Sequence, residues 1–174
     1  ELDADWTKVR VEQAVANAKV YSNGLMGVQG TGGSSAISNS WTQLRTAGAS
    51  ARAMFVDAAA KKWNVAAGEI TVANGVVAHA GSGKQAGFGE LVADAAKITP
   101  VQTPKLKDPR TFTLIGTDRV RRKDSYAKST GTALFTQDVR LPNMLTAMVA
   151  HAPRFGAKVK SFDAAEARKV PGVV

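Results

Sequence analysis

The longest regular pattern in the chain lies between Trp41 and Trp63, where apolar residues recur at spacings of three and four. These residues are Leu44, Ala47, Ala51, Met54, Phe55, Ala58 and Ala59. Such spacing places them on one face of an amphipathic α-helix. Asn39 or Ser40 precedes the pattern, and both are residue types that cap helix N-termini. We therefore predict a helix over 41–63 that packs closely through its alanines.

A different pattern, with a period of two, predicts β-structure on both sides of this helix. Lys8–Gln13 alternates polar and apolar residues and predicts a short strand. Glu69–Val72 and Val76–His79 flank Ala73-Asn74-Gly75, and Asn-Gly between two β-rich runs is a strong hairpin signal. The sequence therefore predicts a hairpin directly after the helix.

Proline spacing divides the chain into two segments. After the hairpin, Gly81–Lys84 is predicted as a loop and Phe88–Ala96 as a second helix. Thr99–Arg110 then carries three prolines, which disfavour both helix and central strand. We predict an α+β protein with one domain over 1–98, a linker over 99–110 and a second domain over 111–174.

The second segment is predicted to contain both strands and a helix. Its candidate strands are Thr111–Ile115, Ala133–Phe135, Leu145–Ala150 and Lys158–Phe162. Asp163 can cap a short helix over Ala164–Val170, which Pro171-Gly172 would end. We expect this domain to be incomplete at its C-terminal edge.

Composition excludes several kinds of site. The chain has no cysteine, so it holds neither disulfides nor thiolate ligands, and its two histidines, His79 and His151, lie far apart in sequence. We expect no metal ligands. No run of about 18 apolar residues predicts a membrane span.

The net charge of +9 raises the question of nucleic-acid binding. The cations are dispersed, and only Arg119–Lys123 forms a cluster. No aromatic residues interleave with this cluster as a base-stacking surface requires. We therefore expect no nucleic-acid partner. We interpret the cluster first as ordinary solvated surface. The second interpretation is that it contacts an anion or a partner subunit.

One loop carries the candidate binding chemistry. Its residues, directly before the predicted helix, are Gln29, Gly30, Thr31, Gly32, Gly33, Ser34 and Ser35. Glycines let a backbone approach a flat ligand, and free N–H groups and hydroxyls before a helix suit a phosphate or pterin oxygen. A flexible loop before a capped helix explains the same residues. Both interpretations stay open on the residues alone.

Two stretches resemble a known family. The first stretch begins with QGTGGSSAISNSW at Gln29–Trp41 and continues through the predicted hairpin around NGVV to FGEL at Phe88–Leu91. The second stretch begins with RVRRKD at Arg119 and continues through DVRLPNML to PGVV at the end of the sequence. Together they resemble the molybdopterin-binding large subunits of the xanthine dehydrogenase/aldehyde oxidase family. The order of the stretches is similar to that in isoquinoline 1-oxidoreductase beta subunit-like proteins and their membrane-associated aldehyde dehydrogenase relatives.

The resemblance implies a fold and an activity. It implies that the first segment is part of a molybdopterin-binding domain, and that the second begins an α/β hammerhead-like domain. The parent subunit would oxidise an aldehyde or an N-heteroaromatic compound with water as oxygen source. An iron–sulfur small subunit would accept the electrons. A cytochrome is a second candidate partner in the parent complex. The location implied is periplasmic or membrane-associated.

The resemblance also implies limits. We expect the chain to be an internal fragment with no catalytic residue, and therefore inactive alone, because the family's glutamate base lies outside it. We also expect the fragment alone to bind no cofactor. Self-association of such a fragment is a further expectation, since exposed apolar surface often finds a partner. Asn143 stands where the family usually has glycine, and Ser129 where it often has valine. The alternative is a non-catalytic, basic α+β module that binds an anionic or protein partner.

Overall fold

The computed structural model describes all residues, 1–174, and confirms an α+β composition. Contacts divide the chain into two units, Glu1–Gly131 and Thr132–Val174. The first unit contains helices α1 (Ala18–Tyr21), α2 (Ser35–Trp63), α3 (Phe88–Ala95) and α4 (Ser125–Ser129), and strands β1 (Ile70–Ala73), β2 (Val76–His79) and β3 (Lys84–Gly87). Single 3-10 turns lie at Trp6–Lys8, Ala67–Glu69, Ala80–Ser82, Pro109–Thr111, Thr136–Asp138 and Ala167–Lys169. None of the helices has the length and apolar character needed to cross a membrane.

Helix α2 is longer than its apolar pattern predicts, because it begins at Ser35 rather than Trp41. The predicted caps, Asn39 and Ser40, are wrong: both residues lie inside the helix. The Ser40 hydroxyl donates to the carbonyl of Ala36 at 2.8 Å, which satisfies it within the helix. The residue at the N-cap position is Ser34, in the left-handed conformation with φ of 56°. The predicted C-terminal end at Trp63 is confirmed.

The predicted hairpin is confirmed and gains a third strand. Strands β1, β2 and β3 form an antiparallel sheet in that order. Asn74 and Gly75 both have positive φ, 48° and 75°, as a two-residue hairpin turn of right-handed twist requires. The loop predicted over Gly81–Lys84 is partly wrong, because Lys84 begins β3 and pairs with His79. Lys84–Gly87 has no β-branched residue, so only its pairing with β2 makes it a strand.

The hydrophobic core lies between the C-terminal half of α2, the sheet and α3. Its buried residues are Ala59, Ile70, Val72, Val77 and Leu91. Phe55 of α2 stacks on Phe88 of α3, with ring centroids 4.5 Å apart. The predicted helix over 88–96 is confirmed to within one residue. Small alanines on α2 therefore allow the sheet to pack close to the helix, as predicted.

The N-terminal segment does not form the strand predicted over Lys8–Gln13. Its residues from Arg10 onward are exposed, and no other strand lies beside them to supply hydrogen bonds. The segment contacts the fold through ion pairs instead. Glu1 Oε1 accepts from Arg45 Nε at 2.7 Å, and the Asp3 carboxylate pairs with both Arg52 and Lys107.

Residues 99–131 form the last part of the first unit and have little regular structure. The strand predicted at Thr111–Ile115 is wrong: Thr111 ends a 3-10 turn that Asp108 caps through its side chain. Phe112 contacts the Trp41 ring edge-on at 6.3 Å, and Arg45 lies over both rings. These contacts place the chain by side-chain packing rather than by sheet pairing. Helix α4 follows, which the sequence analysis did not predict.

The second unit lacks the strands predicted at Ala133–Phe135, Leu145–Ala150 and Lys158–Phe162. Of the helix predicted over Ala164–Val170, only a 3-10 turn at Ala167–Lys169 forms. No residue of this unit is buried, so alternating apolar side chains gain nothing from a sheet, and no neighbouring strand pairs with their backbone groups. The domain limits at 98 and 111 stay predictions.

Candidate functional site

The predicted binding loop, Gln29–Ser35, leads directly into the N-terminus of α2. Its last residue, Ser35, is the first residue of the helix. Ahead of the loop, Asn23 and Val28 form an isolated antiparallel bridge, in which the Asn23 N–H donates to the Val28 carbonyl at 2.9 Å. The turn from 23 to 28 therefore fixes the position at which the loop begins.

Gln29 anchors the start of the loop through its side-chain amide. Its Oε1 accepts from the Asn17 N–H at 2.6 Å, and its Nε2 donates to the Val15 carbonyl at 2.9 Å. The amide thus satisfies a donor and an acceptor of the N-terminal segment, as a neighbouring strand would. Both partner residues are more than ten positions from Gln29 in the sequence, so Gln29 connects the loop to the N-terminal segment.

Among the glycines of the loop, only Gly33 has a backbone conformation that favours glycine, with φ of 56°. A Cβ on Gly30 or Gly32 would lie 3.4 Å from the Met26 side chain, which is an ordinary van der Waals contact. Ser34 also has positive φ and makes no side-chain capping hydrogen bond, which leaves the helix N-terminus without a side-chain cap.

A groove of about 410 Å³ lies beside the loop. Three of the predicted residues line it, namely Gln29, Gly30 and Thr31. The other four, Gly32 to Ser35, do not line it; they form the turn into α2. The groove therefore divides the predicted set into residues that can touch a ligand and residues that shape the backbone behind them.

The groove has an uncharged, hydrogen-bonding lining. Its polar side chains include those of Gln13, Asn23, Gln29, Thr31, Asn39 and Gln43, and no Asp, Glu, Lys or Arg is among the lining residues. Amides offer donors and acceptors together, while hydroxyls rotate to do either. Such a lining suits a neutral ligand with several ring nitrogens and oxygens better than it suits an ion.

Sequence reasoning missed the wall that α2 supplies. Asn39, Ser40 and Gln43 lie at helical spacing on the face that lines the groove. Asn39 Oδ1 also accepts from the Gly24 N–H at 3.0 Å, which holds the turn against the helix. The signal was present in the polar spacing of three and four, but a helix start placed too late assigned Asn39 and Ser40 to a cap.

Two other polar groups were candidates in the sequence. His79 is buried: its Nδ1 lies 2.8 Å from Ser82 Oγ and its Nε2 lies 3.2 Å from Glu69 Oε2. The Ser82 backbone N–H also donates to Nδ1, so the ring caps the turn at Ala80–Ser82. His79 does not line any of the five described cavities, so its hydrogen bonds to Ser82 and Glu69 are structural.

The basic cluster Arg119–Lys123 is partly neutralised by its own neighbours. Asp124 pairs with Arg122 at 3.0 Å and with Lys128 at 2.6 Å. Hydrogen bonds from Lys128 and then Arg122 lower the pKa of Asp124 to about 2. Lys123 Nζ lies 5.2 Å from the centroid of the Trp6 ring, a cation–π contact.

Comparison with known proteins supplies the relationship. No protein-family model matches the chain. The isoquinoline 1-oxidoreductase subunit beta of Brevundimonas diminuta is 36% identical over 207 residues, which cover 99% of the chain and 26% of that protein. The membrane-bound aldehyde dehydrogenase [pyrroloquinoline-quinone] of Gluconacetobacter polyoxogenes is 34% identical over 180 residues, covering 100% of the chain and 22% of that protein.

The chain thus spans about a quarter of the length of the curated relatives it matches. The match extends over both stretches on which the sequence resemblance rests. It confirms the resemblance to isoquinoline 1-oxidoreductase beta subunits and membrane-bound aldehyde dehydrogenases, and the chain is homologous to these oxidoreductases along its whole length.

Proposed function

We propose that residues 1–174 form part of the large subunit of a molybdenum hydroxylase, with the loop Gln29–Ser35 contacting the pterin of the molybdenum cofactor. One observation carries the proposal: the loop residues Gln29, Gly30 and Thr31 line an uncharged, amide-rich groove in a chain homologous to two oxidoreductases. Residues 1–98 would belong to the molybdopterin-binding domain, and residues 111–174 would begin a hammerhead-like domain.

The donor set of the groove fits a pterin. A pterin ring presents neutral nitrogens and a carbonyl, which the amides of Gln29 and Asn39 and the hydroxyl of Thr31 can match as donors or acceptors. When bound, the molybdenum cofactor supplies the two-electron oxidation, and the protein supplies binding and orientation. Gly30 is the residue at which the backbone can approach a flat ring.

The second relative is named for a different cofactor, pyrroloquinoline quinone. That molecule carries several carboxylate groups. Carboxylates require cationic or multiple N–H partners when they leave water, and no lysine or arginine lines the groove. The uncharged lining therefore favours a pterin over the quinone at this loop.

The parent subunit is proposed to oxidise an aldehyde or an N-heteroaromatic compound, with water as oxygen source. Electrons would pass to an iron–sulfur subunit and from there to a cytochrome. The general base and the remaining cofactor contacts would lie elsewhere in the subunit, so these residues alone would be inactive. The proposed location is periplasmic or membrane-associated, by resemblance to the family, and the second relative is named membrane-bound.

The proposal is tested on the full-length polypeptide that contains these residues, co-expressed with cofactor-maturation factors. Molybdenum is measured by metal analysis and pterin by fluorescence after release. Stoichiometric molybdenum supports the proposal. A folded protein that holds neither molybdenum nor pterin would overturn it and leave the anion- or protein-binding module as the function.

Matched variants then connect the cofactor to the groove. Thr31→Val removes a hydroxyl from the groove lining, whereas Thr71→Val makes the same change on the exposed face of β1. We expect Thr31→Val to lower the bound pterin per protein and Thr71→Val to leave it unchanged. Equal pterin content in both variants would remove the loop from the cofactor site.

A further inference from the structure

We propose that a second cavity in the first unit binds a phosphate group, either inorganic phosphate or a phosphate monoester. This cavity, of about 480 Å³, is lined by cationic side chains from three parts of the chain: Arg52 of α2, Lys107 of the proline-rich segment and Arg119 of the basic cluster. Its volume is within the range of small-molecule sites, about 300–1,000 Å³.

The charges in this cavity do not cancel. Asp3 is the only acidic lining residue, and its carboxylate pairs with both Arg52 and Lys107. Arg119 makes no ion pair. With three cations against one carboxylate, the lining carries an excess of positive charge that a doubly charged anion would balance. Because one carboxylate neutralises only part of this charge, the cations repel each other, and anion binding relieves the repulsion.

Hydroxyl groups complete the donor set. Thr111 and Thr113 line the same cavity. The Thr111 hydroxyl already donates to the Asp108 carbonyl at 2.8 Å, so Thr113 is the hydroxyl that is available to an anion. A phosphate accepts hydrogen bonds on several oxygens, and arginine guanidinium groups match that geometry in pairs. Guanidinium groups match carboxylates equally well, so the net positive charge of the lining is what favours a doubly charged phosphate over a singly charged carboxylate.

Two of the three cations are held in place before any ligand binds. The Asp3 carboxylate fixes Lys107 and Arg52, whose side chains are 23% and 29% exposed. Arg52 also lies 3.4 Å from the Val72 carbonyl, next to the hairpin turn. Preorganised side chains lose less conformational entropy on binding than free ones. This cavity shares no lining residue with the uncharged groove, and the inference is independent of the proposed hydroxylase function.

The test titrates the full chain with inorganic phosphate and, separately, with adenosine monophosphate, at physiological ionic strength. Binding is followed by the backbone amide NMR signals of Asn74, Thr111 and Thr113. Saturable shifts of these signals with either ligand support the site. Tighter binding of the nucleotide identifies an esterified phosphate as the ligand, and equal binding identifies the free ion. Shifts that stay linear with concentration, as dispersed surface charge gives, would overturn the proposal.

Arg119→Gln and Arg121→Gln form the matched pair, because Arg121 belongs to the same cluster but does not line the cavity. Loss of one charged hydrogen-bond donor weakens binding about tenfold or more, so Arg119→Gln is expected to raise the dissociation constant by that factor. Arg121→Gln should change it less than twofold, roughly the effect of an exposed charge in salt. Equal losses in the two variants would reduce the site to non-specific attraction and overturn it. Circular dichroism confirms that both variants fold, and Thr113→Val provides a second test without a change in charge.

Discussion

Asn23 Nδ2 donates a hydrogen bond to Ser35 Oγ over 2.9 Å, although the two residues are 12 positions apart. Ser35 Oγ in turn donates to the Gly32 carbonyl at 2.7 Å. The turn at 23–28 is thus connected through two side chains to the end of the binding loop and the first residue of α2. Asn23 is one of the few buried polar residues of the chain, with 6% of its surface exposed.

Replacement of Asn23 with alanine is expected to destabilise the protein and loosen the loop. The change removes the donor to Ser35 and the acceptor for the Leu25 N–H, which lies 3.0 Å from Oδ1. A buried hydrogen-bonding group left without its partner costs about 1–3 kcal/mol. The free energy of unfolding, measured by urea denaturation, should fall by this amount.

The control for this prediction is Asn17→Ala. The side chain of Asn17 makes no capping hydrogen bond and the residue is exposed, so its loss should change the unfolding free energy by less than about 0.5 kcal/mol. Faster hydrogen exchange at residues 24–28 in Asn23→Ala, and not in the control, would locate the effect in the turn. Equal destabilisation by the two substitutions would contradict the assigned role of Asn23.

Leu91 and Val92 are neighbours in α3 with opposite environments. Leu91 is fully buried in the core, whereas Val92 is 53% exposed. Leu91→Ala leaves a cavity beneath the sheet and should cost about 2–5 kcal/mol. Val92→Ala should have little effect, because the helix propensity of alanine offsets the small loss of burial. Thermal unfolding of the two variants checks the difference; similar melting temperatures would mean that α3 does not pack as described.

Local chemistry decided which elements could be predicted. The Asn74-Gly75 turn and the amphipathic face around Leu91 carry their signals within a few residues, so the hairpin and α3 were predicted nearly to the residue. Strand β3 has no such signal, because Lys84–Gly87 forms a strand only through its pairing with β2. The strand predicted at Leu145–Ala150 shows the opposite failure. Its apolar run needs a partner surface, and its residues are exposed.

The candidate site likewise combines features with a local sequence signal and features that depend on distant residues. The Gly-rich segment before a helix is visible in the sequence, and in the structure Gln29–Ser35 leads directly into α2, whose first residue is Ser35. Its role in cofactor binding stays a prediction. The opposite wall of the groove depends on where α2 begins, and the apolar periodicity gave that start at Trp41 because Ser35–Ser40 is mostly polar. The cationic cavity depends on residues as far apart as Asp3 and Arg119, which no local pattern brings together.

Gly75 and Gly89 provide a pair of glycine substitutions with opposite expected signs. Gly75 has φ of 75°, and a Cβ there would lie 3.3 Å from the backbone nitrogen of Asp5. Gly75→Ala should therefore destabilise the protein by about 1 kcal/mol or more through left-handed strain and crowding. Gly89 lies in α3 with open space around it, so Gly89→Ala should stabilise the protein by about 0.5–1 kcal/mol. Urea denaturation of both variants measures the two signs, and destabilisation by Gly89→Ala would show that its helix position is not open.

The ionisation of Asp124 offers a test of the basic cluster by pH. Hydrogen bonds from Lys128 and then Arg122 lower its pKa from 3.8 to about 2. The native state therefore favours the ionised carboxylate, and the stabilisation is present above pH 3.8 and is lost as the pH falls toward 2. Carbon-13 NMR of the Asp124 carboxyl should show it ionised at pH 3.

A variant tests the origin of this shift. Lys128→Met removes the largest cause of the lowered pKa of Asp124, so that pKa should rise toward its ordinary value. In Lys97→Met, which removes a lysine whose partner is Asp94, the pKa of Asp124 should not change. A pKa of Asp124 that is the same in Lys128→Met and in the unaltered protein would mean that the ion pair of Asp124 with Lys128 does not persist in solution.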